Sequence, residues 1–226
     1  MECLEHKEDV KYLGLLIEKN LSWRNQIDSL ILKISKTVGM IAKLRHFVPQ
    51  NILLHIGISI ILLSILIFLM VLQLGEWPAS TALNRILILQ KRYLRFIFFF
   101  SESRAHAIPI FLDTRVLPVH FLYYKAVCCL MHDVANQIAP SNILDLFIKT
   151  SHVHSYNTRS STSQYYYQKF SWLEVQNKAF SHVGPRLLNE LPARMRSLPM
   201  KTFEKELHNL PLSVLKEAHN SFRTGF

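Results

Sequence analysis

From Ile52 to Gly75 the chain carries no Asp, Glu, Lys or Arg, and its densest part, Ile58–Leu72, reads ISIILLSILIFLMVL. A helix that spans a bilayer needs roughly 20 predominantly apolar residues. Each Leu, Ile, Phe or Val near its centre favours insertion by about 0.3–0.6 kcal/mol. Those contributions outweigh His55, Ser59, Ser64 and Gln73. Two readings satisfy such a run. One is a transmembrane helix over residues 52–74, a membrane segment that includes Ile52, Ile58, Leu63, Phe68, Leu72 and Leu74. The other is a helix buried on all sides inside protein. The run starts too late to be a cleavable signal peptide. Its orientation is undetermined, because Lys33, Lys36, Lys43 and Arg45 before it balance Arg85, Lys91, Arg92 and Arg95 after it.

The rest of the chain has a different character. The 226 residues include 26 Lys and Arg against 16 Asp and Glu, a net charge of +10. That balance favours nucleic acid or an anionic membrane surface as partner. A half-hydrophobic composition (50%) excludes wholesale disorder. Three cysteines, an odd number, do not form a disulfide framework and point to a reducing compartment.

Periodicity predicts a mainly α fold. Val10–Ile17 reads as a short N-terminal β-strand. Ser22 is placed to cap a helix whose apolar positions are Ile27, Leu30, Ile31, Ile34, Val38, Ile41 and Leu44, and which Pro49 ends. A second basic helix covers about Ala82–Phe100, with Leu83, Ile86, Leu87, Gln90, Leu94 and Ile97 on one face; a third covers about Pro118–Asn136. Ser101–Leu117 reads as loop, and Ser, Thr, Tyr and His concentrate in Thr150–Tyr167, the clearest candidate linker. Two further helical patterns, Val175–Leu188 and Met200–Leu210, flank the segment LPARMRSLP. The expected organisation is an end-of-strand and helix unit over 1–50, the hydrophobic segment over 51–80 and a helical region over 81–149. A linker over 150–170 and a loosely packed helical segment over 171–226 complete it.

Catalytic chemistry finds no support in the residues. No Asp-Asp doublet exists for two-metal chemistry, and Glu8-Asp9 lies in a polar terminus. No glycine-rich phosphate loop and no nucleophile elbow occurs. His152 and His154 alternate, but no cysteine pair sits at zinc-ligand spacing, and Cys128 and Cys129 read as small core residues. No catalytic residue, metal site, cofactor or small-molecule substrate is expected. Basic and aromatic residues do interleave, in Gln90–Phe96 and through Tyr156, Arg159, Tyr165, Tyr166, Tyr167 and Lys169. Cations neutralise phosphates and rings stack on unpaired bases; the same pattern also suits a solvated helix face above core aromatics.

Several strings in order extend this reading. They are Val10-Lys11-Tyr12-Leu13-Gly14, Asn20-Leu21-Ser22-Trp23, the basic helix ending Leu44-Arg45, and Leu89–Arg95 (LQKRYLR). His154–Arg159 (HSYNTR) and the Gly184–Phe203 segment with Asn189-Glu190-Leu191-Pro192 follow. From about residue 10 to 210 the sequence resembles the C-terminal portion of the reverse transcriptases of non-LTR retrotransposons, the jockey-like LINE elements. The resemblance implies the end of a polymerase palm, then a thumb-like helical bundle and a post-thumb region, downstream of the family's catalytic Asp-Asp motif. It implies an RNA/DNA duplex as partner, gripped by the helix Trp23–His46 and the helix around Lys91. The residues implied are Lys33, Lys36, Lys43, Arg45, Lys91, Arg92, Arg95 and Arg159, without nucleotide transfer. The rival expectation is a single-pass membrane protein anchored in the bilayer by 52–74. Location follows the same fork: membrane if the segment inserts, otherwise cytoplasmic or nuclear.

The resemblance breaks at the apolar run, where the family has a phrase like Tyr-Pro-Tyr-Leu-Ser-Tyr-Gly. One set of codons for that phrase, TAT CCT TAT CTT TCT TAT GG, read one nucleotide later, encodes Ile-Leu-Ile-Phe-Leu-Met, the residues at Ile65–Met70. Roughly Gly57–Ser80 is therefore expected to be an out-of-frame patch between two compensating indels. The nucleotide sequence checks this: the adjacent frame should encode a Tyr-, Pro- and Gly-containing phrase, and a phrase without them refutes it. Independently, if 52–74 anchors the chain, the expressed protein stays in the carbonate-washed membrane pellet and leaves it when Ile58–Leu72 is deleted; a chain extracted by carbonate rejects the anchor.

Overall fold

The computed structural model describes residues 9–12, 15–19, 24–59, 80–98, 111, 113–114, 116–153, 156, 165–172 and 179–210. Ser22, His154, Arg159 and, in the apolar run, Leu63, Phe68, Leu72 and Leu74 lie outside them. The described chain is mainly helical with a short N-terminal β element, the expected fold class. It divides into two compact units, with the boundary at residues 119 and 120. That division falls inside the 81–149 stretch that sequence treated as one region.

The N-terminal unit begins with β1 (Asp9–Tyr12) and β2 (Leu15–Glu18). Where one strand was expected, two four-residue strands pair antiparallel, Asp9 opposite Glu18 and Tyr12 opposite Leu15. The chain thus reverses between Tyr12 and Leu15, and neighbouring residues satisfy the backbone groups of a strand too short to stand alone. The strand pair then hands over to α1 (Arg24–Leu44). The Gln26 side chain, itself buried, accepts a hydrogen bond from Leu16 N at 2.9 Å, and the Glu18 carboxylate accepts one from Asn25 N. The first N–H groups of a helix lack partners within it and favour an anion there. Glu18 supplies that anion.

Ile27, Leu30, Ile34, Val38 and Ile41 form the buried face of α1, at steps of three and four. Ile31 is half-buried and Leu44 exposed, so the core-facing stripe is narrower than the apolar pattern. After a turn through residues 45–48, the chain is helical again over residues 50–59 (α2), starting immediately after Pro49. Proline lacks an N–H, so it suits a helix start and disrupts an interior. α3 (Ser80–Ile97) packs against α1. Leu83, Ile86, Leu94 and Ile97 are buried as the face requires. Gln90, on the same face, is buried too, and both ends of its amide are used: Nε2 donates to Leu117 O (2.9 Å) and Oε1 accepts from Val119 N (3.0 Å). In the stretch expected as loop, residues 111 and 113–114 are helical and Phe111 is buried.

The start of the apolar run is docked on protein. Leu53 is buried, and Gly57 lies so close to α3 that a Cβ there would overlap the Tyr93 ring. Tyr93 is itself 1% exposed, and its hydroxyl donates in a shared bond to the carbonyls of Leu53 and Leu54, each at 2.9 Å. Ile52 and Ile56 remain exposed and Ile58 half-buried. No helix among the described residues is long and apolar enough to cross a membrane.

The second unit is built on α4 (Val119–Ala135). Tyr123, Tyr124, Val127, Cys128, Met131 and Val134 are its buried apolar residues in this unit, and His120 and His132 are buried with them. Its C-terminus closes with Ile138 N bonded to Asp133 O (2.9 Å) and Gln137 N to Val134 O (3.2 Å). That pair of bonds defines a Schellman cap, whose αL position usually takes glycine; Gln137 holds it here at φ 57°. α5 (Ser141–Leu144) and α6 (Thr150–Val153) are single turns. α7 (Phe180–Glu190), α8 (Ala193–Arg196) and α9 (Met200–Asn209) complete the unit. Val183, Leu187 and Leu188 of α7, Met195 of α8, and Phe203 and Leu207 of α9 are buried with α4 residues. His132 stacks on Phe203 (centroids 4.4 Å), and its Nε2 is hydrogen-bonded to Leu198 O at 2.8 Å, tying the LPARMRSLP segment to α4.

Gly57→Ala should lower the unfolding free energy by about 1–3 kcal/mol, the usual range for a forced overpacking. Gly39→Ala, on the exposed side of α1 with nothing within 4 Å of the new methyl, should raise it by about 0.5–1 kcal/mol through helix propensity. Urea unfolding of the two variants checks this, and a neutral Gly57→Ala would remove the α2–α3 contact from the fold.

Candidate nucleic-acid interface

Most of the cations expected to bind lie on α1 and α3, and two contacts fix how those helices align. Near their starts, Arg85 Nη1 donates to Asp28 Oδ1 at 2.7 Å. Near their ends, the Arg45 guanidinium lies 5.8 Å from the centroid of Phe96. Start meets start and end meets end, so the helices run parallel. Both partners of the Asp28–Arg85 pair are about half exposed, so the pair itself contributes roughly 0–1 kcal/mol. Its role is to occupy the one acidic side chain of α1, and α3 has none.

Lys33, Lys36 and Lys43 are all exposed, as solvent-side residues of α1. Spacings of three and seven keep them on one side of the helix. Arg45 follows the last turn, half-buried, its N–H bonded to Ile41 O (3.0 Å) and its Nε donating to His46 Nε2 (3.1 Å). On α3, Arg92 is exposed while Lys91 and Arg95 are half-buried. Arg92 also lies over Phe96, 5.4 Å from the ring centroid. Two guanidinium groups from different elements therefore meet at one half-buried ring. A cation over an aromatic face gains about 0.5–1 kcal/mol at an exposed site, and a guanidinium fork is suited to bind phosphate bidentately. The same cations sit near helix C-termini, where the macrodipole also favours them. The structure thus brings Arg45, Arg92 and Phe96 together with Lys43, Lys91 and Arg95 near the same end of the helix pair. Lys33 and Lys36 extend the row along α1. Arg159 lies outside the described residues.

The interleaved aromatics divide in two. Tyr93 is buried and bonded to backbone, so it has no face for a base; burial raises its hydroxyl pKa far above the ordinary tyrosine value. Tyr166 is likewise buried, its N–H and C=O clasped by the Asn189 amide at 3.0 and 2.8 Å, and burial raises its pKa. Tyr156 and Tyr167 are exposed. Tyr165 is half-buried under Arg196, whose guanidinium lies 4.6 Å from the ring centroid. Sequence reasoning passed over Phe96 as the meeting point, and over Phe170, Trp172 and Arg196. For Phe96 the available signal was its place one residue after Arg95 and four after Arg92. Arg45 comes to it only through folding.

Burial holds the Cys128 thiol well above its usual pKa. Cys129 is pushed up to about 11 by burial, with the Glu204 carboxylate adding to it. Neither is a thiolate at neutral pH, so neither is an activated nucleophile. Among the described residues no group of three or more His, Cys, Asp or Glu is placed to hold a metal ion. No protein-family model, curated protein or solved structure matches the chain.

Proposed function

We propose that the chain is a catalytically inactive remnant of a retrotransposon RNA-directed DNA polymerase, spanning thumb and post-thumb regions, that retains binding to an RNA/DNA duplex. The observation that carries this reading is the convergence of Arg45 and Arg92 on Phe96 at matching ends of two parallel helices. Lys33, Lys36, Lys43, Lys91 and Arg95 lie on the same two helices, and their one acidic residue is paired with Arg85. A duplex presents phosphates in rows, and a pair of rigid basic helices is suited to follow one. The strings in family order support the origin, and the absence of an Asp-Asp doublet from the sequence supports inactivity. A second reading, a single-pass membrane protein anchored by 52–74, is favoured by the uncharged Ile58–Leu72 sequence and by the exposure of Ile52 and Ile56.

Binding of the full chain to an RNA/DNA duplex should weaken steeply with salt, because each phosphate neutralised releases counterions with a slope near −0.9. Arg45→Ala/Arg92→Ala should weaken binding and reduce the slope by about two, one per lost phosphate contact. Salt-insensitive binding, or no binding, rejects the interface. Primer extension on an RNA template should give no product above a mock control, and template-dependent synthesis rejects inactivity.

A further inference from the structure

The second unit carries an aromatic surface that the duplex-binding reading does not use. Phe170 is 75% exposed and Trp172 is 89% exposed, although both are among the most apolar side chains available. Isolated exposed apolar residues are ordinary. These two form a pair, with ring centroids 5.0 Å apart and planes at 90°. In such an edge-to-face pair one ring keeps both faces open and the other keeps one.

The backbone that presents them is held firmly at its start. Thr150 donates twice to Tyr165 O, from N and from Oγ1, each at 2.8 Å. Tyr167 N donates to Ile148 O at 2.8 Å, and Asn189 clasps Tyr166 from the other side. Beyond this anchor the chain has no regular secondary structure, and Tyr167 to Phe170 are all exposed. The charge is of one sign. Residues 165–172 include Lys169 and no acid, Arg196 lies over Tyr165, and His182 sits in the field of Lys169.

We infer that residues 165–172 form a stacking ledge for unpaired bases of single-stranded nucleic acid, with Phe170 and Trp172 as the platform and Lys169 and Arg196 meeting the phosphates. The inference rests on the reading above for its partner class alone and shares no residue with the duplex interface. Unpaired bases are required because paired bases already stack on one another, leaving no face for a side chain. Open ring faces flanked by cations are the combination that binds single strands without sequence readout.

Titration of the full chain with a short oligouridylate, followed by tryptophan emission and by anisotropy of the labelled RNA, tests it. Emission should be quenched. Phe170→Ala/Trp172→Ala should weaken oligouridylate binding about tenfold, the range of one to two lost base stacks. Trp172→Phe should keep most of the affinity while removing the Trp172 part of the quench. Polyphosphate, which has the charge and nothing to stack, should bind the double variant as it binds the unchanged chain. Unchanged oligouridylate affinity in the double variant overturns the ledge, as does an equal loss for polyphosphate. The Arg45→Ala/Arg92→Ala chain separates the two readings. In it duplex binding should fall while oligouridylate quenching persists. In the unchanged chain, oligouridylate quenching with no duplex binding refutes the duplex interface alone, and duplex binding with no effect of the Phe170/Trp172 substitutions on oligouridylate affinity refutes the ledge alone.

Discussion

The N-terminal unit depends on the seam between α1 and α3. Both helices bury a full apolar face, and each Leu or Ile side chain taken from water contributes about 1.5–3 kcal/mol. Tyr93 locks the third helical segment onto that seam. Its ring fills the space that Gly57 leaves open, and its hydroxyl bonds the backbone of Leu53 and Leu54. Because the seam holds α1 and α3 parallel, Arg45 and Arg92 reach the same ring. The basic surface is a consequence of the core beneath it.

Buried polar side chains perform comparable work in both units. Gln26 and Gln90, both buried, and the half-buried Asn189 each bond backbone groups of other elements or connections. His132 does the same for Leu198 O. A buried backbone N–H or C=O left without a partner costs about 1–3 kcal/mol. A mostly helical chain with irregular connections therefore needs such amides where strands would otherwise pair. The Leu89–Arg95 string shows the division of labour within one helix. Gln90, Tyr93 and Leu94 point into the fold, while Arg92 is exposed and Lys91 and Arg95 are half-buried.

The division into 150–170 as linker and 171–226 as a separate segment rested on composition, and composition cannot register backbone pairing. Lys149 and Tyr166 form a β-bridge, and Thr150 is buried, so both described ends of that Ser- and Tyr-rich stretch are tied into the second unit. Backbone groups make most of these bonds, and of the side chains that suggested a connector Thr150 adds its hydroxyl to Tyr165 O at 2.8 Å.

By itself, the sequence determined the helices and their inward faces, because apolar residues at steps of three and four can be buried in only one way. It also determined the excess of positive charge, which is a property of composition. Tertiary structure decided which aromatics are available. Tyr93 and Tyr166, which the interleaving of basic and aromatic residues singled out, are buried, while Phe170 and Trp172, which it passed over, stand in solvent. Burial depends on what packs from distant parts of the chain, as Leu53 does on Tyr93 across forty residues. Local pattern carries no record of that contact.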